Sequence, residues 1–400
     1  MLPEESLKYV SQKRVAIVHD WLVGMRGGEK VLEIICELYP NAEIFTGFYE
    51  ENEISDLIKR HPIHTSSFGK IPGVNSFYRQ LLPFFPLVSK DLSRKISKAH
   101  SKKPFDFVLS ISHCFAKNVD VPESVKHYCY CLTPMRYIWD HFDTYFSKSK
   151  LTVIYKFVAW YLRLWDKSKC RGVNRFSGIS RYICDRILRN YERASEVVYP
   201  PVEVGKRFDG ERLKRSGFLV VNALVPYKNT HLIVDAFNQL GHELKIVGTG
   251  PELAVLKENS KPNIKFLGRL SEQELVAQYR SSRALVFAAE EDFGITPVEM
   301  LAAGGPVIAP GIGGAKETVF GDSGKKTGVL ITELSAINIA EAVEEFIRQE
   351  GGFSEEVCKL RAEEFATERF VESLVEDLSK LGLSEAREEF LNAQKTRTAV

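Results

Sequence analysis

Cysteine is sparse and scattered along this chain. Cys36, Cys114, Cys129, Cys131, Cys170, Cys184 and Cys358 are odd in number and include no CxxC pair, which excludes a disulfide framework or a zinc site and points to a reducing compartment. Long apolar runs are missing as well. No stretch reaches the roughly 18 residues of a membrane span, and the opening MLPEESLKYVSQKR has no apolar signal core. The expectation is a cytoplasmic protein that neither spans a membrane nor is secreted. Overall charge of one sign is absent too: 54 Lys and Arg against 52 Asp and Glu leave a net +2, and no nucleic-acid partner is expected.

What is present describes an ordinary globular chain. At 44% hydrophobic and 26% charged residues, with 27 Gly and 17 Pro, the 400 residues can bury a sizeable core. About 150 residues per domain gives two or three domains. Charge is uneven along the chain. Residues 58–104 hold ten Lys and Arg against one acid and 147–193 hold twelve against three, whereas 333–390 hold sixteen acids against six bases. Two basic runs in one half suggest an anionic partner such as a membrane surface or a phosphorylated lipid.

Short apolar runs alternate with helical-period stretches, the pattern of βαβ units. RVAIVHDWL, AEIFTGFY, FDFVLSIS, HYCYCL and RFSGIS read as strands of the first half, and SRYICDRILRNY as a helix capped by Ser180. The rhythm restarts with FLVVNAL, continues through ELKIVG, IKFLG and ALVFAA, and reaches PVIAP. Pro200 and Pro201 punctuate the join. The expected organisation is an α/β protein of two Rossmann-like domains, 1–201 and 202–365, facing a shared cleft. A helical segment, 366–400, follows, crossing back to the first domain and ending in a frayed tail after about 383. Ligands in such sheets bind at the carboxyl ends of the strands.

The most informative stretch is AAEEDFGITPVEMLAAGGPVIAP. A helix starting near Thr296, with Pro297 in its first turn, puts Glu299 about one turn in and Glu291 on the loop before it. Two ionised carboxylates there suit the hydroxyls of a ribose or hexose. The amides of Phe293, Gly294 and Ile295, ahead of the helix, suit a phosphate. Lys228, in VPYKN, offers a compact cation. In the first half, Gly27 and Gly28 lie between the first strand and its helix, where backbone amides can approach a diphosphate or a sugar. His113 follows FDFVLSIS, His19 and Asp20 end the first strand, and Arg136 and Asp140 stand in TPMRYIWD; all are candidates for sugar or acceptor contacts. For Arg136 and Asp140, pairing with each other is the alternative. Gly313 and Gly314, followed by Glu317, form a glycine turn that either exposes amides or is only a turn.

EDFGITPVEMLAAGGPVIAP with GGAKETV resembles the nucleotide-sugar-binding half of glycosyltransferase family 4, retaining enzymes of the GT-B fold. VNALVPYKNTHLIVDAF, IVGTGPE and FLGRLSEQEL extend the likeness, while ISHCFAKNVD, CYCLTPMRYIWD and ISRYICDRILRNY look like its bacterial and archaeal mannosyltransferase-like branch. The resemblance implies that Glu299 holds the nucleotide ribose, Glu291 the donor sugar and Lys228 the diphosphate. It implies a hexose, mannose first, carried from a nucleotide diphosphate sugar to a glycan or polyprenyl-diphosphate-linked acceptor in polysaccharide or O-antigen synthesis. GDP-mannose is the favoured co-substrate and a UDP-sugar the alternative. No DxD pair ends a strand, so no metal is expected. Two departures stand out. Ala223 occupies the place of a second phosphate-binding cation, for which Arg269 and Arg26 are substitutes, and Leu132 stands where relatives tend to carry His.

Other readings are weaker. GTGPEL at 248–253 begins like a dinucleotide fingerprint but has Leu253 for the third glycine. An epimerase would not need the basic first half, and a non-catalytic nucleotide-sugar-binding protein would not need Glu291, Glu299 and Lys228 together.

Overall fold

The structure, a computed structural model, describes Ser6 and residues 9–140, 152–210, 213–320 and 326–382; the tail expected to fray after about 383 lies outside the described residues. The chain divides into two compact units. One runs to Pro201 and is rejoined by the chain from Phe370, and the other is Val202–Arg369.

In the first unit, β1 (Val15–His19), β2 (Glu43–Thr46), β3 (Ile63–Thr65), β4 (Phe107–Ser112), β5 (Lys126–Cys131), β6 (Arg175–Gly178) and β7 (Ser195–Val197) form one sheet in the order β3-β2-β1-β4-β5-β6-β7. Every pairing is parallel. Parallel strands need crossovers that cover both faces, and so VAIVH and FVLSIS are buried at every position. The helix Gly27–Leu38 lays Val31, Leu32, Ile35 and Leu38 inward, the spacing of one helical face. Beneath the helix Phe85–Lys102, Phe45, Phe48, Phe85 and Phe115 belong to one buried cluster. Each such ring contributes about 1.5–3 kcal/mol by leaving water.

The second unit repeats the plan with β8 (Phe218–Val221), β9 (Leu244–Val247), β10 (Ile264–Gly268), β11 (Ala284–Val286), β12 (Val307–Pro310) and β13 (Gly328–Ile331), ordered β10-β9-β8-β11-β12-β13 and again parallel. Two Rossmann-like sheets of this kind are the GT-B architecture. Strand order locates where each unit can take a ligand. The first sheet grows from β1 towards β3 and then restarts at β4 on β1's other side; the second grows from β8 to β10 and restarts at β11 beside β8. At such a reversal the two flanking crossovers go to opposite faces and leave a crevice at the carboxyl ends of the strands. The relevant ends are therefore those of β1 and β4, and of β8 and β11.

The helix Thr367–Ser379 carries the chain back into the first unit. There Asp377 accepts hydrogen bonds from the Tyr128 hydroxyl at 2.9 Å and Arg175 Nε at 2.8 Å, and Phe370 meets Tyr130 edge-on at 5.6 Å between ring centroids. Among the described residues no helix is long and apolar enough to cross a membrane.

Candidate functional site

In the first unit the residues at the reversal gather around Asp20. Asp20 follows β1 and is fully buried. Its Oδ2 accepts the amides of His113 at 2.6 Å and Cys114 at 2.9 Å, and its Oδ1 those of Phe115 and Ala116, both at 2.6 Å. A carboxylate saturated by four backbone donors is an anchor for the loop after β4, and the expected substrate contact at Asp20 meets oxygens already engaged. The same Oδ2 lies 3.1 Å from His113 Nδ1, and Trp21 stands edge-on to the His113 ring at 4.4 Å. The His113 side chain keeps 24% of its surface exposed. Burial holds its pKa below the usual 6.5, outweighing the opposite pull of Asp20, and Arg136 and His19 act in the same direction as burial. His113 is thus presented as a neutral imidazole.

The loop is pinned from below by a buried ion pair. Lys117 Nζ lies 2.9 Å from Asp166 Oδ1, both side chains wholly enclosed. Asn118 Nδ2, Trp139 Nε1 and the Tyr191 hydroxyl each donate to Asp166 at 2.8 Å. Burial opposes the charge on Lys117, but Asp166 prevails and raises its pKa. Asp140 pairs with Arg186, a buried guanidinium that also donates to Thr133 Oγ1 at 3.0 Å. Asp140 thus has a partner 46 residues away in sequence. His19, also fully buried, lies with its ring 6.3 Å from that of His113. Gly27 and Gly28 open the helix that follows β1. A Cβ on Gly28 would stand 2.8 Å from Leu132 Cδ1, the end of a flexible side chain.

In the second unit Lys228 and Glu291 form an ion pair. Lys228 ends the single turn Pro226–Lys228 after β8, and Glu291 lies on the loop after β11, so the pair spans the strand reversal. The helix begins at Ile295, one residue before the predicted start, with Gly294 in the left-handed region at φ 89°. Glu299 is held on this helix by the Tyr279 hydroxyl, 2.8 Å from Oε2, and by Arg207 Nη1, 3.3 Å from Oε1. Burial raises its pKa above the usual 4.5, while Tyr279 and Arg207 pull the other way. Phe293 is buried edge-on to Phe365, and Ile295 is exposed.

Gly313 and Gly314 serve close packing of two loops. Gly314 N–H donates to Glu291 O at 2.7 Å, and a Cβ on Gly313 or Gly314 would come within 2.4 Å of Glu291 O or 2.3 Å of Phe293 Cα. The glycines of GTGPEL have a similar explanation: a Cβ on Gly248 would lie 1.8 Å from Asn222 O, and one on Gly250 2.2 Å from Leu224 O. Packing against the loop after β8 accounts for that motif without a dinucleotide.

Arg207 was not foreseen. With Ala223 lacking a charge, Arg269 and Arg26 were the expected substitutes. Both are exposed; Arg207, on the turn Gly205–Phe208 at the start of the second unit, is the cation beside Glu299. No motif marks it, since it stands far from Glu299 in sequence. Tyr279, Lys117, Asp166 and Arg186 escaped notice for the same reason.

Residues 205–364 match the family model of glycosyl transferases group 1. An uncharacterized glycosyltransferase of Methanocaldococcus jannaschii is 30% identical over 182 residues, 43% of this chain and 49% of that protein. A GDP-mannose-dependent alpha-(1-6)-phosphatidylinositol monomannoside mannosyltransferase of Mycobacterium tuberculosis is 32% identical over 154 residues, 34% of this chain and 39% of that one. The chain thus spans about half the length of these curated relatives or less. Among solved structures, Anabaena HepE in complex with UDP superposes with a TM-score of 0.67 at 16% identity, covering 92% of this chain and 100% of that one, a likeness of fold. The strand reversal flanked by Lys228 and Glu291 accordingly lies within the segment that matches the group 1 model, and the chain that carries it has the GT-B fold.

Proposed function

We propose that this protein is a retaining hexosyltransferase. It moves mannose from GDP-mannose, with a UDP-sugar as the alternative donor, to a glycan or polyprenyl-diphosphate-linked acceptor in polysaccharide or O-antigen synthesis. The observation that carries this reading is the Lys228–Glu291 pair across the strand reversal of the second unit. Each partner neutralises the other, and a donor replaces both contacts at once: the diphosphate takes the ammonium, and a sugar hydroxyl takes the carboxylate. Glu299, already gripped by Tyr279 and Arg207, accepts the ribose hydroxyls. The reading draws its donor from the mannosyltransferase relative and its alternative from the UDP complex. Transfer proceeds by front-face displacement. The acceptor oxygen bonds to the anomeric carbon on the face from which the diphosphate departs, the bond to the leaving oxygen breaks, and that phosphate oxygen takes the acceptor's proton. Lys228 stabilises the negative charge developing on the diphosphate, and neutral His113 orients a hydroxyl of the sugar or acceptor. The test is radiolabelled transfer from GDP-mannose or UDP-glucose, with thermal shift in each donor. Label incorporation that Glu291→Ala abolishes supports the reading. No shift with any donor, or full activity in Glu291→Ala, overturns it.

The acceptor side extends to an anionic membrane surface. On the helix Thr152–Lys169 the residues Phe157, Trp160, Tyr161 and Leu164 form one exposed stripe, with Trp160 54% and Phe157 67% accessible. The exposed positions of its described part add Lys156 and Ser168 and no acid. Asp166, the helix's acid, is buried against Lys117. An apolar stripe with basic character suits an anionic lipid surface. Co-sedimentation with anionic vesicles at low salt, lost in Trp160→Glu, is the expected result; equal recovery of both proteins without lipid would refute it.

A further inference from the structure

Glu299 is held at both of its oxygens. The Tyr279 hydroxyl donates to Oε2 at 2.8 Å, and Arg207 Nη1 donates to Oε1 at 3.3 Å. These partners come from different elements, the helix Glu272–Ser281 and the turn Gly205–Phe208, so the carboxylate is fixed in place and in rotation about its own axis. An ionised carboxylate offers about two lone-pair sites on each oxygen. With one filled on each, one is left on each, and two donors set side by side match them. The Glu299 side chain keeps 13% of its surface exposed, whereas Tyr279 is fully buried. A ligand therefore meets the carboxylate and not the phenol behind it.

The local charge decides what Arg207 does. Its Nε lies 3.2 Å from Glu272 Oε1 and its Nη1 3.8 Å from Glu203 Oε2, so one guanidinium faces three carboxylates. No positive charge is left over for a diphosphate, and Arg207 does not replace the cation missing at Ala223. Glu203 and Glu272 expose 71% and 66% of their side chains and are screened by water. The guanidinium therefore acts mainly on Glu299, the least exposed of the three. We infer that Arg207 and Tyr279 are positioning residues that make Glu299 selective for the 2′,3′-diol of a ribonucleotide. Tyr279 sets one oxygen and Arg207 the other, and a nucleotide lacking either hydroxyl leaves one oxygen unmatched. This rests on the transferase reading above and adds to it the two side chains that act through Glu299.

Titration calorimetry on the full chain compares GDP and UDP with their 2′-deoxy and 3′-deoxy forms. The wild-type protein should bind its preferred ribonucleotide about tenfold or more tighter than either deoxy form, the worth of one hydrogen bond to a charged acceptor. Tyr279→Phe removes only the hydroxyl and keeps the ring that meets Phe208 edge-on at 6.2 Å. Arg207→Gln removes the charge from a half-buried position on a turn. Circular dichroism checks that each is folded, and either suffices if the other is not. In a folded variant the preference for the ribonucleotide should shrink to about threefold or less, because the loosened carboxylate and the diol are energetically coupled. In transfer assays KM for the nucleotide sugar should rise with kcat held, the mark of lost ground-state binding. A variant that weakens ribo and deoxy forms equally, or that binds as the wild type does, overturns the inference and leaves the transferase reading intact. Equal binding of ribo and deoxy forms by the wild-type protein also overturns the inference. Failure of the wild-type protein to bind any nucleoside diphosphate or nucleotide sugar overturns both.

Discussion

Replacing Asp20 by Ala separates an anchoring role from a substrate contact. The substitution removes the acceptor of four backbone amides, at 113, 114, 115 and 116, in a place where Cys114, Phe115 and Ala116 have no exposed surface. Each amide left without a partner costs about 1–3 kcal/mol. Water entering the space of the lost carboxylate restores some of these bonds, and removing the buried charge returns part of its desolvation. The net loss expected is about 3–5 kcal/mol, the range for breaking a buried charge from its partners. In a unit of this size that corresponds to a fall of roughly 6–20 °C in melting temperature. Scanning calorimetry should show the fall, while nucleotide binding measured well below the transition should persist, because Lys228, Glu291 and Glu299 belong to the other unit. A variant that melts within 2 °C of the wild type yet has lost transfer activity would refute the anchoring argument and return Asp20 to the substrate.

Three further outcomes are expected. Asp166→Asn leaves Lys117 buried beside a neutral amide and should destabilise the protein by about 3–5 kcal/mol in urea unfolding; a loss below about 1 kcal/mol would mean the pair is solvated. Gly248→Ala meets both a φ of 140° and the Asn222 carbonyl, and should cost at least about 3 kcal/mol, whereas Gly205→Ala, with open space around it, should lose about 1 kcal/mol; equal losses would contradict the packing explanation. In the proposed reading ribose recognition needs Glu299 ionised, and its pKa is raised above 4.5. Nucleotide affinity should therefore fall on acidification at a higher pH than an ordinary carboxylate gives, and calorimetry of Glu299→Gln should show weak binding without that inflection. The same shift makes ionised Glu299 a burden on folding: stability from this group is greatest below the unfolded value and declines as pH rises through the folded one.

The sequence made the architecture legible because βαβ alternation is a local signal. Apolar runs such as VAIVH and FVLSIS announce buried parallel strands, and Ser180 capped its helix as read, its Oγ accepting Ile183 N–H at 3.1 Å. Placement of His19 and His113 at strand ends was also readable, since each closes or directly follows an apolar run, and Lys228 and Glu291 were readable as loop residues beyond theirs. Their partners were not. Asp20 finds its amides more than 90 residues away, Lys117 finds Asp166 on another helix, and Arg207 finds Glu299 from the other end of its unit. Such pairings depend on which strands become neighbours, and local periodicity does not encode that. Glycines carried a weaker signal: in GTGPEL and Gly313–Gly314 the structure packs backbone against backbone, a contact that local sequence does not announce.

The returning C-terminal helix has a consequence for biosynthesis. Tyr128 and Arg175 emerge from the ribosome long before Asp377, and at about 5–20 residues per second the first unit waits roughly nine seconds or more for its last helix, while the second unit is completed in the interval. A nascent chain arrested after Arg369 would carry a finished second unit beside an unfinished first one. Trimming a purification clone back to the family-matched segment would therefore strip a covering element from a sheet some two hundred residues upstream, and fusion tags are better borne beyond Gly382 than in place of this helix.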